Sequence, residues 1–170
     1  MRNAGVPEKC RKKALKKAYK YFDCLGGGMV NFEGIFCEGF RKNNPASFQE
    51  INFLKNCVRF QLPFDFEIFL CWSNGGEGKV GELYLSLWSI HEIIDNNKVY
   101  SVWECLGEEV LGIGTDGGDY CFIIDVRSGD KKISAVPLGA LEEEEIKILS
   151  DGFVSFVENI SSSNITGNDL

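Results

Sequence analysis

Two glycine-rich segments have the spacing that could bind a nucleotide phosphate. Residues 76–81 and 112–117 both match G-x-G-x-x-G, in which glycines let a helix N-terminus approach a pyrophosphate. Such a site needs a strand before the glycines and a helix after them. The first segment follows a predicted helix, and both segments lead into predicted strands. GEGKV is not a P-loop either, because Ser73 replaces its first glycine and Val80 replaces its Ser/Thr.

A metal-dependent hydrolase would need clustered ligands, and Asp116, Asp119 and Asp125 are the one suggestive set. Asp116 and Asp119 suit a turn in which carboxylates bind the backbone, and their spacing is not that of a calcium loop. His91 is the single histidine, and no nucleophile motif surrounds any Ser or Cys. We therefore expect no catalysis, no metal and no cofactor, with a hydrolase using these acids as the weakest alternative.

The cysteines favour structural rather than chemical roles. The chain has seven, with no C-x-x-C pair of the kind that binds zinc or exchanges disulfides. Cys71 and Cys121 lie in apolar runs, where a thiol packs as a small hydrophobic group. We expect reduced thiols and a cytoplasmic protein, most consistent with a bacterial cytosol.

The length and composition indicate one domain preceded by a basic extension. The 170 residues include 13 phenylalanines and three tryptophans, enough for one large core, and no run is long enough to span a membrane. Residues 1–28 are predicted to form a basic amphipathic extension with helical spacing. Such helices bind anionic membranes, nucleic acid or acidic surfaces, but we favour a solvated helix lying on its own acidic domain.

The rest of the chain alternates between helical and strand patterns. Capping boxes at Ser47 and Ser89, and a proline at Pro63, predict helix starts, and a further helix follows residue 151. Residues 73–81 are predicted to form a glycine-rich loop, and residues 142–145 a solvated acidic run. Residues 30–40 suggest a loop or edge strand, residues 99–105 a strand or loop, and residues 161–170 a disordered tail. Strands are predicted at residues 82–88, 109–113, 120–126 and 132–136.

Several of these motifs, taken in order, resemble the SUKH superfamily in its Smi/Knr-type branch. The resemblance begins with NNPASFQEINFLKN and continues with LP, a short acidic-aromatic helix, SNGGEG and a strand ending in LWSI. It ends with LGIGTDGGDYCFIID, AVPLG and FVSFVENI, and we place a SUKH-like domain at residues 29–160. The predicted fold is α+β, with helices packed on one face of a mainly antiparallel sheet.

The resemblance implies a binding protein. Bacterial SUKH proteins are cytoplasmic immunity proteins that bind and block a cognate polymorphic toxin, often a nuclease, and fungal relatives act in cell-wall and signalling regulation. The expected partner is therefore a toxin, with no direct nucleic-acid contact and no membrane span; a regulatory scaffold is the alternative. The oligomeric state stays open.

We expect the binding face to be acidic and close to glycine-rich turns, with Trp88 as an aromatic anchor. Two groups of residues are predicted to be exposed: residues 74–77 with Glu82 around the helix-to-strand loop, and Asp116 with Asp119 in the hairpin turn. The flanking Trp72 and Leu87 are predicted to be buried. The alternative is that the glycines only satisfy turn geometry and the acids only maintain solubility. The candidate partner-binding residues are Asn74, Gly75, Gly76, Glu77, Glu82, Trp88, Asp116 and Asp119.

Overall fold

The strands form one antiparallel meander. The computed structural model describes residues 30–36 and 39–170 of the chain. Within them, seven strands lie side by side in chain order, so that sequence neighbours are also sheet neighbours. The strands are β1 (Phe40–Lys42), β2 (Gly76–Val80), β3 (Leu83–Leu87), β4 (Val110–Thr115), β5 (Tyr120–Asp125), β6 (Lys132–Pro137) and β7 (Lys147–Ser150).

Six α-helices accompany the sheet within the same residues. The predicted capping boxes are present, since Ser47 and Glu50, like Ser89 and Glu92, bind each other's backbone N–H groups. The α+β class and the antiparallel sheet are therefore confirmed. The basic extension predicted for residues 1–28 lies outside the described residues. The helices are α1 (Phe32–Phe36), α2 (Phe48–Cys57), α3 (Phe64–Trp72), α4 (Ile90–Val99), α5 (Val102–Leu106) and α6 (Phe153–Ser161), with 3₁₀ turns at Glu143–Glu145 and Gly167–Asp169.

An aromatic layer joins three helices to one face of the sheet. The ring of Phe66 in α3 lies 5.0 Å from that of Phe153 in α6, and Phe156 lies 5.1 Å from Phe122 of β5. At the other end of the sheet, Phe36 of α1 packs 4.3 Å from Phe40 of β1. All these rings are buried, and burial of such large apolar side chains is the main stabilising term of the domain.

A carboxylate links the two helices of this layer. Asp65 of α3 accepts a hydrogen bond from the backbone N–H of Val154, 3.0 Å away, at the start of α6. The N-terminal residue of that helix, Gly152, has no side chain to bind the free N–H groups. Asp65 therefore caps a helix 89 residues further along the chain, which fixes α6 against α3.

The opposite face of the sheet is also covered near β4 and β5. Successive strand residues point to opposite faces, so Cys121 lies on the face away from Phe122. A Cβ atom built at Gly112 would lie 3.2 Å from Cys121 Sγ and 3.1 Å from the ring of Trp88. Trp88 and the end of α4 therefore cover part of a second face, in addition to the one helical layer that we predicted. Burial there raises the pKa of Cys121 to about 12.

The side chain of Asn97 joins α4 to this part of the sheet. Its amide nitrogen donates to the carbonyl oxygens of Ile93 (2.7 Å) and Gly112 (2.8 Å), and its oxygen accepts from Gly112 N–H at 2.8 Å. Strand β3 pairs with β4 only at residues 86 and 87, and the register shifts between Gly112 and Gly114. Asn97 therefore supplies the hydrogen bonds that a longer β3 would have made.

Three predictions of local structure between residues 30 and 105 were wrong, and one strand was missed. The supposed loop at residues 73–81 contains β2, because glycine permits close strand contact: a Cβ at Gly78 (φ +150) would lie 2.0 Å from the carbonyl oxygen of Gly39. Residues 30–40 form a helix as well as an edge strand, and residues 99–105 lead into α5. Strand β7 was not predicted.

The C-terminal segment is ordered rather than disordered. Residues 161–170 end in a 3₁₀ turn with a capping box between Thr166 and Asp169. Ile165 and Leu170 are buried, and Lys147 Nζ donates to the carbonyl oxygen of Leu170. The tail was predicted to be disordered from its polar composition, but its two apolar side chains pack on the domain.

An ion pair fixes the turn between β5 and β6. Arg127 Nη2 lies 2.8 Å from Asp125 Oδ2, and Arg127 Nη1 also binds Glu143. Partial burial alone would raise the pKa of Asp125, but the hydrogen bonds and charge of Arg127, together with the charge of Lys132, hold it below its usual range.

Replacing Asn97 with leucine should destabilise the domain strongly. The buried N–H and C=O of Gly112 would lose their partners, which costs about 1–3 kcal/mol for each group, so we expect a loss of about 2–6 kcal/mol. Chemical denaturation measures this difference. The control is Asn56→Leu on the exposed part of α2, which should change stability by less than ~0.5 kcal/mol. Equal effects of the two variants would contradict the role of Asn97.

Replacing Asp125 with asparagine should remove stability that depends on pH. The folded pKa of Asp125 lies below its unfolded value of about 3.9, so the pair stabilises the fold above that pH and is lost as the pH falls through the folded pKa. Asp125→Asn should therefore be less stable than wild type at neutral pH, and this difference should shrink below pH ~4. Urea melts at several pH values test this, with Asp95→Asn as an exposed control.

Candidate functional site

Three polar residues form a row across one face of β2, β3 and β4. Glu77 lies directly opposite Ser86, and Ser86 lies directly opposite Thr115. Directly paired residues project from the same face of a sheet with Cβ atoms about 5 Å apart. This face is the one that carries Cys121, the register partner of Thr115, and not the one that packs on the aromatic layer. The row is therefore available to a partner where Trp88 does not cover it.

Two tyrosines stand beside this row and enclose a groove, which we call the tyrosine groove. Tyr84 precedes Ser86 by two residues on β3, and Tyr100 is the residue that ends α4. Their exposed fractions are 40% and 42%, which is high for aromatic side chains. The groove has a volume of about 640 Å³ and is lined by Glu77, Tyr84, Ser86, Tyr100, Thr115, Asp116, Gly117, Gly118 and Leu138.

Both tyrosine rings are held in place from behind. The ring of Tyr100 stacks on Trp88 with 6.0 Å between centroids and 13° between planes. The ring of Tyr84 leans on the turn between β4 and β5: a Cβ at Gly117 (φ +78) would lie 2.7 Å from Tyr84 Cδ1. Fixed rings lose little conformational freedom when a ligand binds them.

Carboxylates flank the groove, and each already has a partner. Glu77 Oε1 accepts from Arg41 Nη2 at 2.8 Å, in a pair whose arginine side chain is 79% exposed. Asp116 Oδ1 accepts from the backbone N–H groups of Gly118 (2.9 Å) and Tyr120 (3.1 Å), so it also shapes the turn. Aromatic faces with nearby carboxylates bind cations, whereas a phosphate would be repelled.

The structure brings some of the predicted site residues together. Glu77 and Asp116 line the same groove, and Asp119 is exposed in the adjoining turn. Glu82 is exposed as predicted, in the turn between β2 and β3, but it does not line the groove. Asp116, which we expected to be exposed, is half-buried by its bonds to the turn.

The remaining predicted residues do not form a surface. Gly75 and Gly76 are buried, and Asn74 is half-buried with its Oδ1 accepting from Ile90 N–H at 2.9 Å, where it caps α4. Trp88, which we expected to be an aromatic anchor, is only 6% exposed, and its ring stacks on Tyr100. Leu87 is buried as predicted, but Trp72 is half-buried.

The sequence held a signal for part of the groove. The alternation in ELYLSLW assigns Tyr84 and Ser86 to the face away from the leucines, which is where they lie. No local pattern indicated Tyr100, because the fold of α4 carries it to the groove. Thr115 was placed just outside the predicted strand.

The arrangements that would carry other chemistry are not assembled. Asp125 pairs with Arg127 and Asp116 binds its own turn, and in residues 30–36 and 39–170 no three His, Cys, Asp or Glu side chains are placed to hold a metal ion. Both G-x-G-x-x-G segments lie in strands and their turns, so neither presents a helix N-terminus to a phosphate. His91 packs beside the ring of Phe53, at 6.2 Å.

The described helices are also too short or too polar to cross a membrane.

Comparison with known proteins gives one family match. No curated protein matches the chain. The model of the SMI1 / KNR4 family (SUKH-1) matches residues 45–159, a region that contains both tyrosines and most of the sheet. Because this match covers more than half of the 170 residues, the chain belongs to the SMI1 / KNR4 family, also called SUKH-1.

Proposed function

We propose that this protein is a non-catalytic immunity protein that binds and neutralises a cognate protein toxin in the cytoplasm. The observation that carries the proposal is the tyrosine groove, in which two half-exposed tyrosines stand beside carboxylates in a SUKH-1 domain. Aromatic side chains that are rigid and half-exposed are typical anchors of protein interfaces. The groove is open and shallow, which suits a protein surface better than a small substrate.

The charge of the domain supports a basic partner. The described residues include ten Lys or Arg and 22 Asp or Glu, a net charge of −12. Six of the ten basic side chains form salt bridges within the domain, and Lys131 and Lys147 bind backbone carbonyls. The described residues are therefore strongly acidic, while the whole chain has a net charge of −7 because eight Lys or Arg precede residue 30. Toxins that grip nucleic acid carry clusters of Lys and Arg, which an acidic domain attracts.

Two of the described thiols are poor nucleophiles at neutral pH. Burial raises the pKa of Cys71 to about 11 and that of Cys121 to about 12. At neutral pH both groups are therefore thiols, and the thiolate is the nucleophilic form. Asp116 and Asp125, the acids of the alternative hydrolase, are bound to the backbone and to Arg127.

The proposal predicts a toxin-domain gene next to this one, and the product of that gene provides the test. When the protein is expressed together with the toxin domain, it should restore the growth of the cells. The protein and the toxin domain should also purify as a complex. Because long-range charge accelerates encounter, the association rate constant should fall by roughly tenfold or more between low and high salt, with a smaller change in dissociation. Surface plasmon resonance measures both constants.

Two results would contradict this proposal. One is a toxin that keeps full activity when the protein is present in excess. The other is a gene with no toxin-domain neighbour, which would favour the regulatory scaffold. Metal-dependent turnover by the purified protein that Asp116→Ala abolishes would support the hydrolase instead.

A further inference from the structure

We infer that the tyrosine groove recognises the guanidinium group of an arginine side chain presented by the partner protein. This inference rests on the proposed function, because it takes the partner to be a protein. It is narrower than that proposal, since an acidic domain could attract a basic partner through many surfaces. The groove combines three features that suit a planar cation: fixed aromatic faces, a carboxylate within reach and a polar floor.

The aromatic faces favour a planar cation over a compact one. A guanidinium stacks flat on an aromatic ring and sheds its water easily, whereas an ammonium is a strongly hydrated point charge. The Tyr100 ring stacks on Trp88, and the Tyr84 ring lies against Gly117. Because the Tyr100 ring is already stacked on Trp88, its stacking on a guanidinium is not offset by a large entropy loss.

The structure contains an internal example of the same contact. Arg41 Nη2 donates to Glu77 Oε1 at 2.8 Å on the groove side of the sheet, so this carboxylate already accepts a guanidinium. The Arg41 side chain is highly exposed, and such surface pairs contribute little stability, about 0–1 kcal/mol. An arginine of the partner can therefore displace Arg41 at little cost, with its remaining N–H groups directed at the polar floor.

The floor supplies hydrogen-bond acceptors for these N–H groups. Ser86 and Thr115 lie opposite each other between Glu77 and the turn at Asp116, and both are half-buried. Hydroxyl oxygens accept hydrogen bonds from a guanidinium, which has five N–H donors in a fixed plane. The groove volume of about 640 Å³ also leaves room for the residues that flank the arginine, so the occupant is a segment of protein.

Short peptides test the chemistry without any toxin. The full-length ¹⁵N-labelled protein is titrated with Ac-Gly-Arg-Gly-amide, its lysine equivalent and its citrulline equivalent, which keeps the shape and loses the charge. We expect saturable shifts at the amides of Ser86, Thr115, Gly117 and Gly118 with the arginine peptide, roughly fivefold weaker affinity for lysine and no binding of citrulline. Equal affinity for arginine and lysine, shifts centred on residues 142–145, or no saturable shift would each overturn the inference.

Variants separate a specific groove from general acidity. Tyr84→Leu and Tyr100→Leu should each weaken binding of the arginine peptide by roughly fivefold or more, while Tyr84→Phe and Tyr100→Phe, which keep the rings, should stay within about twofold. Phe48→Ala and Glu144→Gln are the matched controls, because both residues are exposed and lie outside the groove. Thermal melts verify that each variant is folded.

The same variants, assayed with the toxin domain, distinguish the two proposals. In one outcome, the wild-type protein neutralises the toxin and the double variant Tyr84→Leu with Tyr100→Leu binds the toxin equally well. This result would overturn the role of the groove but keep the immunity function. Wild-type protein that binds the arginine peptide in the groove but leaves the toxin active would overturn the immunity function alone. Loss of toxin binding in the leucine variants and retention in the phenylalanine variants is the expected result.

Discussion

The hydrogen bonds between Asn97 and Gly112 set the geometry on which the candidate site depends. Strand β3 leaves β4 after two paired residues, and a sheet edge in the interior would leave backbone groups without partners. The side-chain amide of Asn97 bonds both the N–H and the C=O of Gly112, and its second N–H donates to the carbonyl oxygen of Ile93 in its own helix. Both donors and the oxygen of the amide therefore have partners. A buried amide with every bond made specifies one position for α4 relative to the sheet.

That position determines where the aromatic groups of the groove lie. Gly112 has no side chain, so the ring of Trp88 can settle on it, and Tyr100 at the end of α4 stacks on Trp88 in turn. The exposed Tyr100 is therefore connected through one buried ring to the backbone of β4. The ring of Tyr84 lies against Gly117. The two rings approach the groove from different elements, and each packs against a neighbouring residue.

Much of the fold could be predicted from local sequence, because its signals are short-range. The capping boxes at Ser47 and Ser89 involve residues three apart, and the alternation of β3 is visible in five consecutive positions. The glycines of residues 73–81 suggested a loop because their composition is that of a loop. Glycine is required there by a tertiary contact: β1 approaches so closely that Gly78 has no room for a Cβ atom. No window of local sequence contains that contact.

The candidate site was predictable only in part for the same reason. Glu77 and Asp116 were identified from charge and turn composition, and they do line one groove. Trp88 was proposed as an aromatic anchor, but its ring is buried and supports Tyr100, which is the exposed group. Trp88, directly after β3, stacks on Tyr100 at the end of α4 because Asn97 fixes α4 on the sheet. This contact is visible only in the folded chain.

Long-range charge and short-range contact have separate roles in this domain. Exposed charges interact over about 8 Å at physiological ionic strength, so the net charge of −7 speeds encounter with a basic partner but distinguishes poorly between basic partners. Selectivity must come from groups whose geometry matters. The exposed carboxylates at Glu143–Glu145 belong to the connection between β6 and β7, and of that connection only Leu138 lines the groove. The residues that attract a partner can therefore vary without disturbing the rings that select it.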